Sequence, residues 1–247
     1  MKIAVITDLH ANREAVQAVL DHAQRQGAEL HAFVGDYVGY GADPAWVIDT
    51  VRTLVDAGGV AVQGNHDLAA VQGPSSHMRL DARLVVEWTH SQLDASQIAF
   101  LAGLPLTERR DDLLFVHANA WNPAGWDYVQ SRLEAARSLQ ATRARVTFCG
   151  HMHEPRLYHL SAVGKTADFL PLPGAPIPLL ATRRWLVIPG SSGQPRDGDP
   201  AAGYAIYDTR RAEICFYRVP YDAEAAAAKV RAAGLPHALA QRLVDGR

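Results

Sequence analysis

Residues 2–10 read KIAVITDLH, an apolar run rich in β-branched residues that breaks into Asp8 and His10. KIAVIT has the composition of a buried strand. The next fifty residues decide the fold class. Residues 12–27, NREAVQAVLDHAQRQG, place Ala15, Val16, Val19, Leu20 and Ala23 on one helical face. Asn12 can cap that helix and Gly27 can end it. LHAFVG (30–35) reads as a second strand. DPAWVIDTVRTLVDAG (43–58) reads as a second helix, with Asp43 as cap, Pro44 at the first helical position and Gly58 at the stop. GVAVQG (59–64) is a third strand. Strands separated by helices imply parallel β-α units, hence an α/β protein.

The pattern continues downstream. Residues 81–104 read as one or two helices, DLLFVH (112–117) as a fourth strand, SRLEAARSLQ (131–140) as a helix and RVTFCG (145–150) as a fifth strand. Beyond Pro155 the character changes. GKTADFLPLPGAPIPLL (164–180) is rich in Pro and Gly and reads as a loop. RRWLVIPG (183–190) is a strand, and residues 203–220 form a hairpin turning at 209–211. YDAEAAAAKVRAAG (221–234) and PHALAQRLV (236–244) are helices. The late strands are too few for a core of their own, so residues 1–247 are expected to form a single domain.

Composition narrows the class. Hydrophobic residues make up 48% and charged residues 20%, and the formal net charge is -2. The lack of a basic surplus argues against a stable nucleic-acid complex. No apolar run approaches the roughly 18 residues of a membrane span. Two cysteines, Cys149 and Cys215, give no disulfide framework. A cytoplasmic protein is expected.

The chemistry gathers at strand ends. The first strand runs into Asp8 and His10, the second into Asp36, the third into Asn65, His66 and Asp67. The fourth ends at His117, the fifth at His151 and His153. In open α/β sheets, ligands bind outside the carboxyl ends of strands. In extended backbone, residues i and i+2 project to one side, so D-x-H and H-x-H would each present two ligand atoms together. Two carboxylates, four imidazoles and an amide oxygen exceed one tetrahedral zinc site. They suit two ions sharing a bridge, with Asp36 a natural bridging carboxylate. Two ions about 3.5–4 Å apart can generate hydroxide at neutral pH and clamp phosphoryl oxygens.

The motifs D-x-H, G-D, G-N-H-D, H and G-H-x-H, in that order from Asp8 to His153, resemble the calcineurin-like metallophosphoesterase superfamily. That resemblance implies a β-sandwich flanked by helices, in four αββα layers. It implies a first metal held by Asp8, His10, Asp36 and His153, and a second by Asp36, Asn65, His117 and His151. His66 resembles the family's general acid or phosphate-stabilising histidine, with Asp67 orienting it. The implied activity is phosphoester hydrolysis by a metal-bound hydroxide, as a phosphodiesterase or phosphatase on small or nucleotide-like substrates. Manganese is the first ion expected, with iron, zinc or nickel as alternatives.

GDYVGYGADP (35–44) and PGSSGQPRDGDPAAGYAIYD (189–208) are similar to a bacterial branch described as diadenosine tetraphosphatase- or protein phosphatase-related. The phosphatase branch carries Asp-Arg after GDYV, where this chain has Gly39 and Tyr40. Arg196 is a candidate substitute for that phosphate-contacting charge, and Asn12 a second candidate substrate contact, although a helix cap explains Asn12 equally well. Trp121, Trp126 and Tyr128 could stack a base or pack their loop. Gly190 and Gly193 could donate N–H groups to an anion or form a tight turn. His22, His31, His77, His90, His159 and His237 read as ordinary histidines. Three other readings compete: a phosphoanhydride hydrolase acting on dinucleoside polyphosphates; a non-catalytic scaffold on the same fold, against which every ligand position is filled; and a metal-dependent nuclease, against which the near-neutral charge stands.

Overall fold

A computed structural model describes residues 1–74, 78 and 80–247. His77 lies outside the described residues. Among those described, twelve strands form two six-stranded sheets. The first half supplies β1 (Lys2–Ile6), α1 (Arg13–Arg25), β2 (Leu30–Phe33), α2 (Pro44–Asp56), β3 (Val60–Ala61) and α3 (Asn65–Gln72). Then come α4 (Leu80–Ser91), α5 (Ala95–Gly103), β4 (Thr107–Arg110), β5 (Leu113–Val116), α6 (Arg132–Gln140) and β6 (Val146–Phe148). The remainder supplies β7 (Arg156–Ser161), β8 (Thr166–Phe169), β9 (Pro176–Pro178), β10 (Arg183–Ile188), β11 (Ala202–Asp208), β12 (Glu213–Val219), α7 (Ala223–Ala232) and α8 (His237–Asp245).

The first sheet has the order β3-β2-β1-β11-β12-β9 and the second β4-β5-β6-β10-β7-β8. Strands β1, β2 and β3 pair in parallel, as do β5, β6 and β10. The β11–β12 hairpin joins antiparallel to β1, with Val5 opposite Ala205. Alternation along each strand then builds the layers. Ile3 and Val5 point between the sheets, where they meet Phe115, Phe148, Val187 and Tyr207. Ala4 and Ile6 point the other way, onto Val16 and Val19 of α1 and Ile48 and Val51 of α2. On the far side, Leu114, Leu160 and Leu186 meet Leu139 of α6. The result is the expected helix–sheet–sheet–helix arrangement. Full burial of each such aliphatic side chain contributes about 1.5–3 kcal/mol.

Several expectations change. Residues 164–180 are not simply a loop: they hold β8 and β9, one outer strand of each sheet. Ile177 pairs with Ile214, and its flanking prolines are tolerated because an outer strand needs ladder bonds on one side only. The edge strand β4, TERR, has no apolar alternation that would mark it. Asp43 occupies the cap position of α2, but its carboxylate makes no cap bond and accepts from Lys229 instead. The Ala-rich α7 packs into the fold on one face. Ala226, Ala227 and Val230 are buried against Leu239 and Leu243 of α8 and Val85 of α4, and Lys229 bridges Glu14 and Asp43. No helix among the described residues is long and apolar enough to cross a membrane. Both cysteines are free, with Cys149 buried.

The loop after β10 is locked under the first strand end. Ser192 N donates to the Thr7 carbonyl at 3.0 Å and Gly193 N to that of Asp8 at 2.8 Å. Ser191 Oγ donates to the same Asp8 carbonyl at 2.8 Å. The Gly193 N–H is therefore spent inside the protein, and Gly190 takes the positive φ of a tight turn, at 98°, which favours the turn reading of PGSSG over the anion-binding one. A Cβ on Gly193 would overlap the Leu9 carbonyl. Gly193→Ala is expected to lower stability by about 1–3 kcal/mol, the usual effect of overpacking. Urea denaturation of the purified variant would measure it, and an unchanged midpoint would count against this account of the loop.

Candidate metal centre

The five expected strand ends do converge, but the backbone does it differently from the extended reading. Asp8, His10, Asp36, His151 and His153 all have left-handed backbone, with φ between 44° and 67°. Each such residue costs roughly 1–3 kcal/mol outside glycine, and persists only where its surroundings hold it. Here the holding bonds are visible. Asp8 N donates to the Gly35 carbonyl at 3.1 Å, His10 N to that of Asp36 at 3.0 Å and Gly150 N to that of His117 at 2.8 Å. His151 N donates to the Asp8 carboxylate at 3.1 Å. The turns after β1, β2 and β6 are thus tied to one another.

Two groups of ligand atoms result: Asp8, His10, Asp36 and His153 in one, and Asp36, His117 and His151 in the other. Asn65 Oδ1 lies 3.2 Å from His117 Nε2, which adds it to the second. Asp36 belongs to both. Its Oδ1 accepts from His66 N at 2.9 Å. Its Oδ2 lies 3.2 Å from His117 Nε2 and 3.8 Å from His10 Nε2. One oxygen is anchored and the other faces both groups, as a bridging ligand must.

Each imidazole has one nitrogen against a main-chain carbonyl. His10 Nδ1 is 3.1 Å from the Val38 oxygen, and His117 Nδ1 is 2.8 Å from that of Val34. His153 Nδ1 is 2.6 Å from the Gln194 oxygen, and His151 Nε2 is 3.0 Å from that of Trp126. A carbonyl can only accept, so these four nitrogens carry the protons. In a neutral ring the other nitrogen is then a bare lone pair. Those lone pairs meet: His10 Nε2 and His153 Nε2 are 3.1 Å apart, and His117 Nε2 and His151 Nδ1 are 3.2 Å apart. Two facing lone pairs repel unless a proton or cation lies between them. Ligand atoms around one ion with bonds of about 2.1 Å stand roughly 3.0–3.4 Å apart, so the spacing fits. The residues present therefore fit two divalent cations.

The electrostatics agree. Burial drives His10 and His153 well below the usual histidine range. Burial and His117 bring His151 down to about 4. Burial also pushes Asp8 up to about 7, with His117 opposing and Asp36 reinforcing. Burial works against a charged His117, yet Asp36 and Asp8 outweigh it and hold His117 at about 9. A second proton, on His117 Nε2, thus takes the place between Asp36 and His151 that the second cation would fill.

Asp67 does not orient His66. Its Oδ2 accepts from Asp36 N at 2.9 Å and Gly64 N at 2.8 Å, and its Oδ1 from Tyr37 N at 2.8 Å. A buried carboxylate beneath these donors fixes the turn that carries Asp36. Asp67→Asn would set an amide NH2 or a single oxygen against them. It is expected to cost about 1.5–3 kcal/mol and to lower bound metal, with thermal melting and elemental analysis as readouts. Wild-type melting and metal content would contradict this role.

His66 instead packs edge-on against Tyr40, with ring centres 4.5 Å apart, and against His10 at 5.0 Å. Burial lowers its basicity. Arg196 comes to the same place. Its guanidinium lies 5.8 Å from the Tyr40 ring centre and donates to Gln194 Oε1 at 3.2 Å, while its buried Nε has no partner. Its charge also acts on His10, His66 and His153. Asn12 is a correction: it is the α1 cap. Its oxygen accepts from Ala15 N, and its amide donates to the Gly193 carbonyl and Tyr221 Oη, so no donor remains for a substrate.

The aromatic loop divides. Trp121 packs under Arg137 within the core beneath α6. Trp126 uses its carbonyl on His151, and Tyr128 stacks on the same ring at 4.1 Å. Sequence reasoning missed these second contacts, and missed Tyr40 as the neighbour of His66. No residue type marks a main-chain carbonyl, so no local signal could have found them.

A family profile described as the calcineurin-like phosphoesterase superfamily domain matches residues 1–212. An uncharacterized protein of Methanocaldococcus jannaschii is 32% identical over 251 residues, covering 99% of this chain and 98% of its own. The crystal structure of a metallophosphoesterase from Sphaerobacter thermophilus is 36% identical, with a TM-score of 0.89 over 100% of this chain and 99% of that one. A hypothetical protein from Pyrococcus horikoshii shares the fold at 18% identity, with a TM-score of 0.79 over 100% and 98% of the two chains.

Proposed function

Because this chain belongs to the calcineurin-like phosphoesterase superfamily, we propose that it is a dinuclear metal-dependent hydrolase of small or nucleotide-like phosphoesters. The observation that carries this reading is the pair of facing ring-nitrogen contacts, bridged by Asp36 Oδ2. Asp8, His10, Asp36 and His153 would hold one ion, and Asp36, Asn65, His117 and His151 the other. The ions supply Lewis acidity and a nucleophile drawn from water at neutral pH.

The chain's own groups do the rest. Asp8 and Asp36 offset only part of the charge of two divalent ions, which favours an anionic substrate. Arg196, with its unpartnered Nε beside the cluster, would bind phosphoryl oxygens. His66, held by Tyr40 against the cluster, would donate its N–H to a phosphoryl oxygen or its proton to the departing oxygen. We also read residues 1–247 as a single domain. The contacts of Lys229 with Glu14 and Asp43 support this, since they tie the segment beyond residue 212 to the first two helices. Manganese is the first ion to try, because mixed nitrogen and oxygen ligands accept it alongside zinc, iron or nickel.

The test is chelation and reloading. Stripped protein is expected to cleave neither p-nitrophenyl phosphate nor bis-p-nitrophenyl phosphate. Reloading with manganese is expected to restore cleavage at two ions per chain. Diadenosine tetraphosphate in the same panel separates ester from anhydride preference. If protein carrying two ions, from any of the four metals, cleaves none of these, the reading fails.

A further inference from the structure

A cavity of about 450 Å³ opens beside the cluster, lined there by Asn65, of the second ligand group, and by His66, whose main-chain N–H meets Asp36. From there it runs between two helices. Leu68 and Ala69 of α3 line one part, and Ala82, Val85 and Val86 of α4 another. Tyr40 and Trp126 also face it. None of its described lining residues is Asp, Glu, Lys or Arg. Its size is that of a pocket for an organic group rather than for a few waters.

The site is therefore two-sided. Charge gathers at the two ligand groups and at Arg196. Among its described lining residues the recess past His66 offers no formal charge, and only Tyr40, Asn65, Gln72 and Trp126 offer side-chain hydrogen bonds, so a charged or hydroxyl-rich group would recover only part of its lost hydration there. His66 stands at the border between the two. A phosphoryl group drawn to the charged side would place one ester oxygen at His66 and that oxygen's substituent in the recess.

We propose that this cavity seats the departing alcohol of the substrate, which is an uncharged aromatic or aliphatic alcohol. The inference rests on the phosphoester-hydrolase reading. In the reaction, water forms the new P–O bond and the P–O bond to the alcohol breaks. The proton that water loses is balanced by the one the departing oxygen takes through His66.

Binding of non-hydrolysable phosphonates to the manganese-loaded protein tests the recess apart from catalysis. The probes are methyl-, propyl-, pentyl- and phenylphosphonate, measured by calorimetry. Each methylene buried in the recess is expected to tighten binding about fourfold. Phenylphosphonate is expected to bind at least roughly tenfold tighter than methylphosphonate. Ala82→Trp, on an exposed stretch of α4, and Ala69→Phe would each fill the recess. Both are expected to flatten the series, with methylphosphonate as the internal reference in each protein. A flat series in the wild type, or an unchanged slope in both variants, overturns the inference. If esters are cleaved while the series is flat, the hydrolase reading stands and the recess falls. If the series is steep while no ester is cleaved, the recess keeps its ligand class and the hydrolase reading falls.

Discussion

Asp36→Asn is expected to abolish turnover and to lower the content of both ions together. The carboxylate is the one group shared by the two ligand sets, with Oδ2 facing His10 and His117. An amide oxygen in its place carries no formal charge, and the amide nitrogen would offer a donor to a position that needs an acceptor. Loss of a group that merely supports a metal ligand typically costs 10–100-fold in metal affinity or activity. Loss of a shared ligand is expected to exceed about a hundredfold. The fold should survive, because Asp67 rather than Asp36 accepts the main-chain bonds that fix the turn. Elemental analysis beside a phosphodiester assay reads both effects. Full retention of one ion with loss of the other would show that Asp36 does not bridge.

His66→Ala is expected to retain metal and lose roughly 10²–10⁴ in rate, the range for a positioned proton donor. None of the bonds that fix the ligand turns uses the His66 side chain; its main-chain N–H serves Asp36 and survives the substitution. The dependence on leaving group separates its two roles. If His66 protonates the departing oxygen, the loss grows for esters of poorly acidic alcohols. If it only donates its N–H to a phosphoryl oxygen, the loss is the same for all of them. A metal-replete variant that cleaves good and poor leaving groups at wild-type rates would remove His66 from the machinery.

The strand ends are legible in the sequence for a simple reason. A strand that carries Val and Ile on both faces must end where charge begins, and KIAVIT–DLH shows both halves of that boundary. The parallel β-α half and nine polar candidates come from that rule repeated five times, and the family resemblance selects seven ligands among them. Strands β4, β8 and β9 are not legible, because outer strands can be polar or proline-bearing, and the inner strand β7 also goes unread, since RLYHLS mixes Arg, His and Ser with its apolar residues. The helical start of α3 is hidden too, since Asn65 reads only as the end of a strand.

Spacing points to the right partners by the wrong route. D-x-H and H-x-H do bring their side chains together, yet through left-handed turns at all four residues rather than extended backbone. Adjacency alone places Asp67 beside His66, whereas its carboxylate turns to the main chain of residues 36 and 37.

Residue identity thus determined which atoms could bind a cation, since carboxylates and imidazoles are marked in the sequence. Only the tertiary structure decided which nitrogen of each imidazole faces inward. That choice belongs to the carbonyls of Val34, Val38, Trp126 and Gln194. Every residue has such a carbonyl, so nothing in the sequence distinguishes these four. The folded chain does, by bringing each within hydrogen-bond reach of one ring nitrogen and leaving the other free for the site.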